Sequence, residues 1–254
     1  MKALILAGGM GTRLREETEF KPKPMVEIGG RPIIWHIMKN LSNQGISEFV
    51  VALGYKGDVI RDFFLNYSIM QNDFSVDLSS GTRLIIGDSS SEKWNVTLVE
   101  TGSNTMTGGR ILRCQHALGE EFLCTYGDGL ADISISNLLD FHNKHTGVAT
   151  VTAATPPSRF GRIAIQDSGL VDSFIEKPKE IDWVNAGFFI FRKEIFHFLS
   201  DDAVLEKEPL EKLSSQSKLY AYKHRGFWQP MDTLRESELL NVLWDENRAP
   251  WKNW

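Results

Sequence analysis

Three short stretches carry residue types suited to handling a polyanion. The run Leu6-Ala7-Gly8-Gly9-Met10-Gly11-Thr12-Arg13 combines closely spaced glycines with a cation. Without Cβ atoms, backbone N–H groups can approach a nucleotide closely, and a guanidinium such as that of Arg13 grips phosphate oxygens in a planar fork. The run is neither a Walker A loop, which needs Lys-Ser/Thr after its last glycine, nor the dinucleotide fingerprint G-x-G-x-x-G. Ten residues beyond Arg13 stands Lys23, in Lys21-Pro22-Lys23-Pro24. Proline stiffens the backbone on both sides of that lysine; taken alone, the segment also fits a solvated basic turn. Asp128, in Tyr126-Gly127-Asp128-Gly129, is either an ordinary Asp-Gly turn or a carboxylate placed to hold a metal at a strand end.

The elements that must position these residues follow from hydrophobic spacing. The apolar run Ala3 to Ala7 reads as a buried strand that opens into the glycine loop. Ile34, Ile37, Met38 and Leu41 then fall at helical spacing behind Pro32. A strand at 48–53 and a helix through Ile60, Phe63, Phe64 and Tyr67 come next. Residues 68–100 are less regular, with short β-like runs at 82–86 and 96–99 and a polar loop at 87–93. Alternation resumes with a helix near 109–118, a strand at 121–125, a helix through Ile135, Leu138, Leu139 and His142, and a strand at 148–154. After Pro156-Pro157 the texture becomes short strands and turns at 162–165, 170–176 and 185–191. The last 60 residues hold two helices around Tyr220 to His224. Strands alternating with helices predict an α/β fold, a Rossmann-like and mostly parallel sheet flanked by helices. A smaller β-rich part follows it. No repeat or linker interrupts the chain, so residues 1–254 are expected to form a single domain. In it, about 1–155 would bind nucleotide, and about 156–254 would form the second substrate's pocket and the C-terminal part. In such a sheet the loop at 7–13 lies where ligands bind, beyond the carboxyl end of a strand.

Leu6-Ala7-Gly8-Gly9-Met10-Gly11-Thr12-Arg13-Leu14 followed by Lys-Pro-Lys-Pro-Met resembles the signature of the sugar-phosphate nucleotidyltransferases. Narrower motifs are similar to those of the cytidylyltransferase branch acting on glucose 1-phosphate, which makes CDP-glucose for dideoxysugar synthesis. They include Gly54-Tyr-Lys-Gly57, Trp94-Asn-Val-Thr-Leu98, Thr107-Gly-Gly-Arg110, Tyr126-Gly-Asp-Gly129, Glu176-Lys-Pro-Lys179, Gly226-Phe-Trp-Gln-Pro-Met-Asp-Thr233 and Ala249-Pro-Trp-Lys-Asn253. Arg15-Glu16-Glu17-Thr18 replaces a stretch where many relatives carry proline, which fits the cytidylyl branch and not the thymidylyl one. Ala186 departs from an expected glycine, with no consequence that the sequence reveals.

The resemblance implies CTP and glucose 1-phosphate as substrates, Mg²⁺ as cofactor and a homo-oligomer. It implies that Asp128 and Asp232 hold the metal, and that residues 6–13, Lys23, Thr105, Arg110 and Gly127 bind the nucleotide. Glu176, Lys177 and Asn185 would bind the sugar phosphate, with Lys177 on its phosphate. The attacking oxygen belongs to a phosphate monoester, ionised above its second pKa of about 6, so no general base is needed. That fits six scattered histidines, read as structural. Charge neutralisation by Arg13, Lys23 and the metal would carry the rate. Glu16, Glu17 and Glu19 read as solvated charges, Asp132 as a helix cap, and Trp228, Trp251 and Trp254 as packing or subunit-contact residues. A UTP- or dTTP-dependent enzyme is the alternative within the class. A glycosyltransferase would show an Asp-x-Asp motif, which this chain lacks. A non-catalytic sugar-nucleotide sensor would lack Arg13, Lys23 or a metal aspartate.

Bulk properties agree. Of 254 residues, 42% are apolar and 24% charged, a globular balance that can bury a core, and the net charge of −5 without a basic block argues against nucleic acid and anionic membranes. Cys114 and Cys124 read as buried small hydrophobes in a reducing compartment. The N-terminal apolar run ends at Gly8-Gly9, too short for a signal peptide, and a cytoplasmic location is expected.

Overall fold

The computed structural model describes residues 1–87, 92–156, 162–176 and 183–254. Seven strands form the main sheet among these residues: β1 (Lys2–Leu6), β2 (Glu48–Leu53), β3 (Asn95–Glu100), β4 (Glu121–Tyr126), β5 (Ala149–Ala154), β6 (Val184–Arg192) and β7 (Leu219–His224). Their order across the sheet is β7-β5-β6-β4-β1-β2-β3. β1 lies parallel to β2 and β4, β2 to β3 and β5 to β7, while β6 runs antiparallel to both its neighbours. The sheet is therefore mostly parallel, as the alternation of elements predicts.

β1 reads as an unbroken apolar run because both its faces are covered. Ala3 and Ile5 join one core cluster with Ile34, Ile37, Met38 and Leu41 of the helix Ile33–Asn43; Leu4 joins the other with Ile111 and Leu213. The second face is covered by the helices Thr107–Arg113 and Glu208–Ser215. Cys114 and Cys124 are buried free thiols there, as expected. Between Leu219–His224 and the chain's end lies the helix Leu234–Asp245, which opens with a capping box between Thr233 and Glu236. Asp132 is not a cap: Ser134 caps the helix Ile135–His142, and the Asp132 carboxylate lies 3.0 Å from His224 Nε2.

The chain runs outward from β1 to β2 and β3, then returns to place β4 on the other side of β1. That reversal opens a crevice at the carboxyl ends of β1 and β4. Leu6 and Tyr126 are register partners there, and the Gly127 N–H donates to the Leu6 carbonyl at 3.0 Å. The glycine loop and Asp128 thus leave the sheet side by side.

Candidate active site

Lys23 is the centre of the crevice. Pro22 precedes a 3₁₀ turn over Lys23–Met25 closed by the Met25 N–H on the Pro22 carbonyl at 2.8 Å. Pro24 packs so tightly on Gly127 that a Cβ there would lie 3.0 Å from its Cγ. The turn therefore holds Lys23 beneath the Asp128 loop, and the side chain is only 9% exposed. Its ammonium donates to Asp128 Oδ2 at 2.6 Å and to Asp232 Oδ1 at 2.5 Å. Burial pushes the Lys23 pKa down, but the Asp128 carboxylate and then Asp232 outweigh it, and the pKa is raised overall. The lysine is a held cation and not a solvated turn.

Asp232 reaches this point through a short strand pair. Trp228–Pro230 lies antiparallel to Gly129–Ala131, and the Met231 N–H donates to the Asp128 carbonyl at 2.8 Å. The two aspartates thus follow one another across a ladder despite their separation in sequence. The other Asp232 oxygen binds Arg13 Nη1 at 2.8 Å; the Arg13 side chain is 74% exposed, free to turn toward a phosphate.

Two carboxylates converging on one ammonium form a site already shaped for a cation, the Lys23 nitrogen standing in for it. Hard oxygen donors suit Mg²⁺, which keeps several positions for phosphate and water. Among the described residues, no cluster of three or more His, Cys, Asp or Glu could hold a metal by itself. The donor set fits a metal that arrives with substrate phosphates.

Two pockets meet at this centre. One, of about 300 Å³, is lined by Leu6, Ala7, Gly8, Gly9, Gly11, Arg13, Lys23, Thr105, Thr107, Arg110 and Asp128 among others. The second, of about 320 Å³, is lined by Tyr126, Asn185, Ala186, Trp228 and Asp232 and shares Arg13 and Asp128 with the first. Met10 and Thr12, from the same loop, face a different hollow with Thr18, Glu19 and Tyr55. Gly127 lies under the floor against Pro24 and the Leu6 carbonyl. Glu176 is exposed at the end of the hairpin strand Val171–Ile175 and lines neither pocket. Lys177 lies outside the described residues.

Arg110 has a different position from a phosphate-binding arginine. Its guanidinium is buried and donates to the carbonyls of Leu53 at 3.0 Å, Gly102 at 2.8 Å and Gly8 at 2.9 Å, and to Thr101 Oγ1 at 2.6 Å. A Cβ on Gly8 would sit 2.1 Å from its Nη1, and one on Gly54 2.3 Å. Gly8 and Gly54 are glycines because this guanidinium lies flat between them. Trp228 packs against the core, as read from sequence, and also lines the second pocket, donating its indole N–H to the Ala186 carbonyl at 2.9 Å. Trp251 does pack, fully buried. Tyr126 lines the same pocket and was invisible as a site residue, since a tyrosine ending a strand looks like core.

The fold, the carboxylate pair and the paired pockets describe a class, and comparison with known proteins agrees. Residues 2–232 match the family model described as nucleotidyl transferase, and the chain belongs to that family. It is 50% identical, over the full length of both chains, to the glucose-1-phosphate cytidylyltransferases of Salmonella typhi and Salmonella typhimurium strain LT2. Among solved structures, a UDP-glucose pyrophosphorylase complexed with UDP-glucose superposes with a TM-score of 0.68 at 17% identity, covering 97% of this chain and 99% of that one. At that identity the likeness is one of fold. The protein is a nucleotidyltransferase enzyme.

Proposed function

We propose that the protein transfers a cytidylyl group from CTP to α-D-glucose 1-phosphate, giving CDP-glucose and pyrophosphate. The observation that carries this reading is the junction of the two pockets at Arg13, Asp128 and the buried Lys23. The glycine-lined pocket takes the nucleotide, and the pocket of Tyr126, Asn185 and Trp228 takes the sugar phosphate. In this reading the nucleotide pocket is built from the part at about 1–155, and the sugar pocket combines Tyr126 of that part with Asn185 and Trp228 of the part at about 156–254. Glu176 and Lys177 belong to the sugar side in this reading, and Thr105 to the nucleotide side. The full-length likeness to two glucose-1-phosphate cytidylyltransferases supports the choice of base and sugar.

Each residue's task follows from its position. The phosphate oxygen of the sugar attacks the α-phosphorus of CTP while the bond to pyrophosphate breaks in line. No proton needs to be removed from the nucleophile. Lys23 stays charged and offsets negative charge at the junction of the pockets. Arg13, exposed and anchored by Asp232, swings onto the phosphates of the entering triphosphate. Arg110 holds the glycine loop rigid from beneath. Asp128 and Asp232 would hold Mg²⁺, which would neutralise the phosphate oxygens. A cytoplasmic homo-oligomer is part of the same reading.

The test is a grid of triphosphates against sugar 1-phosphates, read as pyrophosphate release. CTP with glucose 1-phosphate should exceed UTP or dTTP by at least about tenfold in kcat/KM, the effect of one base-edge mismatch of roughly 1.4 kcal/mol. An equal rate with UTP or dTTP would move the protein to another branch with the reaction type intact.

A further inference from the structure

The Thr107-Gly108-Gly109-Arg110 motif is only partly used by the site as described. Arg110 supports the glycine loop, but the glycines and Thr107 point to another task. The N–H groups of Gly108 and Gly109 both donate to the Ala203 carbonyl, at 2.9 and 3.2 Å. A Cβ on Gly108 would lie 2.8 Å from that oxygen, and one on Gly109 2.1 Å from the Asp201 carbonyl. The glycines therefore admit the segment 201–206 into backbone contact with the start of the helix. That contact delivers Glu206 to the boundary between the two pockets.

Glu206 uses both carboxylate oxygens there. Oε2 accepts from the Thr107 hydroxyl at 2.7 Å, and Oε1 accepts from the Tyr126 hydroxyl. Thr107 lines the nucleotide pocket and Tyr126 the sugar pocket. Thr107 is itself fixed, since its oxygen accepts from the Leu205 N–H at 2.9 Å. Tyr126 is fixed from the other side by Gly187, whose left-handed backbone (φ +81°) and missing Cβ make room for the ring. Asn185 completes the arrangement: Oδ1 accepts from the Gly187 N–H at 2.8 Å, and Nδ2 donates to the Tyr126 oxygen at 3.3 Å.

We propose that Glu206 is a positioning residue for the sugar phosphate, acting through Tyr126 by committing its hydroxyl proton and so presenting the phenolic oxygen to the sugar pocket as an acceptor. This deepens the reading of that pocket as the sugar site and rests on it. A phenol has a single proton to donate, and the Tyr126 hydroxyl directs it to Glu206 Oε1. Asn185 Oδ1 is turned to the Gly187 N–H, and Nδ2 has a second N–H besides the one it gives to Tyr126. The pocket edge thus offers one acceptor beside one donor, and a single sugar hydroxyl satisfies both by donating to Tyr126 and accepting from Asn185.

The experiment compares wild type with Glu206→Ala, Glu206→Gln and Tyr126→Phe in steady-state turnover of CTP with glucose 1-phosphate and its monodeoxy analogues. CTP affinity is measured separately by calorimetry. Glu206→Ala should raise KM for glucose 1-phosphate about tenfold and change the dissociation constant for CTP by less than about threefold, because Tyr126 loses its acceptor whereas Thr107 is still held by the Leu205 N–H. Glu206→Gln, which keeps an acceptor for Tyr126, should recover most of that loss. Tyr126→Phe should abolish discrimination against one deoxy analogue and leave the others as in wild type. Unchanged KM in Glu206→Ala, equal loss of CTP and sugar binding, or Tyr126→Phe discrimination identical to wild type would each overturn the assignment. A wild type that does not turn over glucose 1-phosphate would instead defeat the proposed function, and the two failures are thereby distinguished.

Discussion

Lys23 occupies a position where its own charge and a metal would compete for the same two carboxylates. With the ammonium present, Asp128 and Asp232 are neutralised by a held cation at 2.6 and 2.5 Å. Lys23→Met leaves two partly buried carboxylates facing each other, with the exposed Arg13 on Asp232 as the cation that remains among the described residues. That variant should be less stable than wild type without divalent cations, and should gain more in melting temperature when Mg²⁺ is added. A smaller gain than in wild type would count against a shared cation site. Its turnover should fall by at least about 10²-fold, since a preorganised charge at the reacting phosphates is lost. Chelation of divalent ions, or Asp128→Asn, should likewise cut kcat by orders of magnitude while circular dichroism is unchanged. Full activity of metal-free protein would sink the assignment of both aspartates. Gly8→Ala tests the floor of the same pocket. The added methyl meets the Arg110 guanidinium at 2.1 Å, and that group is pinned by five acceptors, the fifth being the Ser103 carbonyl. The substitution should cost about 1–3 kcal/mol by overpacking and raise KM for the nucleotide. Urea unfolding and initial rates would read both effects.

At the scale of elements, what the sequence disclosed depended on whether a signal was local. The loop at 6–13 and the turn at 21–25 are announced by glycine and proline, which act on their own neighbours. The strand–helix alternation that builds β1, β2 and β4 is likewise written in local periodicity. The meeting of Asp128 with Asp232 is not. It depends on pairing Trp228–Pro230 with Gly129–Ala131, a three-residue ladder between distant segments. Only the likeness to a family suggested it. Arg110 lines the glycine pocket, but its carbonyl contacts depend on Gly8 and Gly54 coming from two different loops. Glu206 carried no signal, since an exposed glutamate in a polar segment looks solvated. The glycines at 108 and 109 stand out in sequence as part of a motif, and their physical reason is the close approach of residues 201–203. Gly109→Ala should therefore destabilise by about 1–3 kcal/mol, because its Cβ would strike backbone that cannot rotate away. Gly9→Ala, with nothing within 4 Å of the new methyl, should stay within about 0.5 kcal/mol of wild type. Chemical denaturation of the two variants side by side decides whether close approach or loop conformation explains these glycines.

For the whole molecule, the histidines read from sequence as structural make stability depend on pH. His36 is fully buried under the C-terminal tryptophans. Its Nε2 lies 2.8 Å from the Ile28 carbonyl, and Nδ1 accepts from the Trp251 indole at 3.4 Å. This requires the neutral ring, because a proton on Nδ1 would face the Trp251 N–H. Burial accordingly lowers the His36 pKa to about 4. His142, also fully buried, lies 2.7 Å from Thr150 Oγ1; burial, followed by the nearby Arg192, lowers its pKa to about 4 as well. In the unfolded chain both would titrate near 6.5. Between those values the unfolded state binds more protons than the folded one, so the stability these rings contribute is complete above about pH 6.5 and declines as pH falls toward 4. The loss between pH 7 and pH 5 should be on the order of 2 kcal/mol per histidine. The two sites lie in separate surroundings and should add. Replacing either ring by a non-titrating residue lowers stability at pH 7 but should remove about one proton from the pH slope of unfolding free energy. Urea titrations from pH 7 to pH 5 measure that slope directly. A slope unchanged in both variants would show that these two rings do not carry the acid sensitivity.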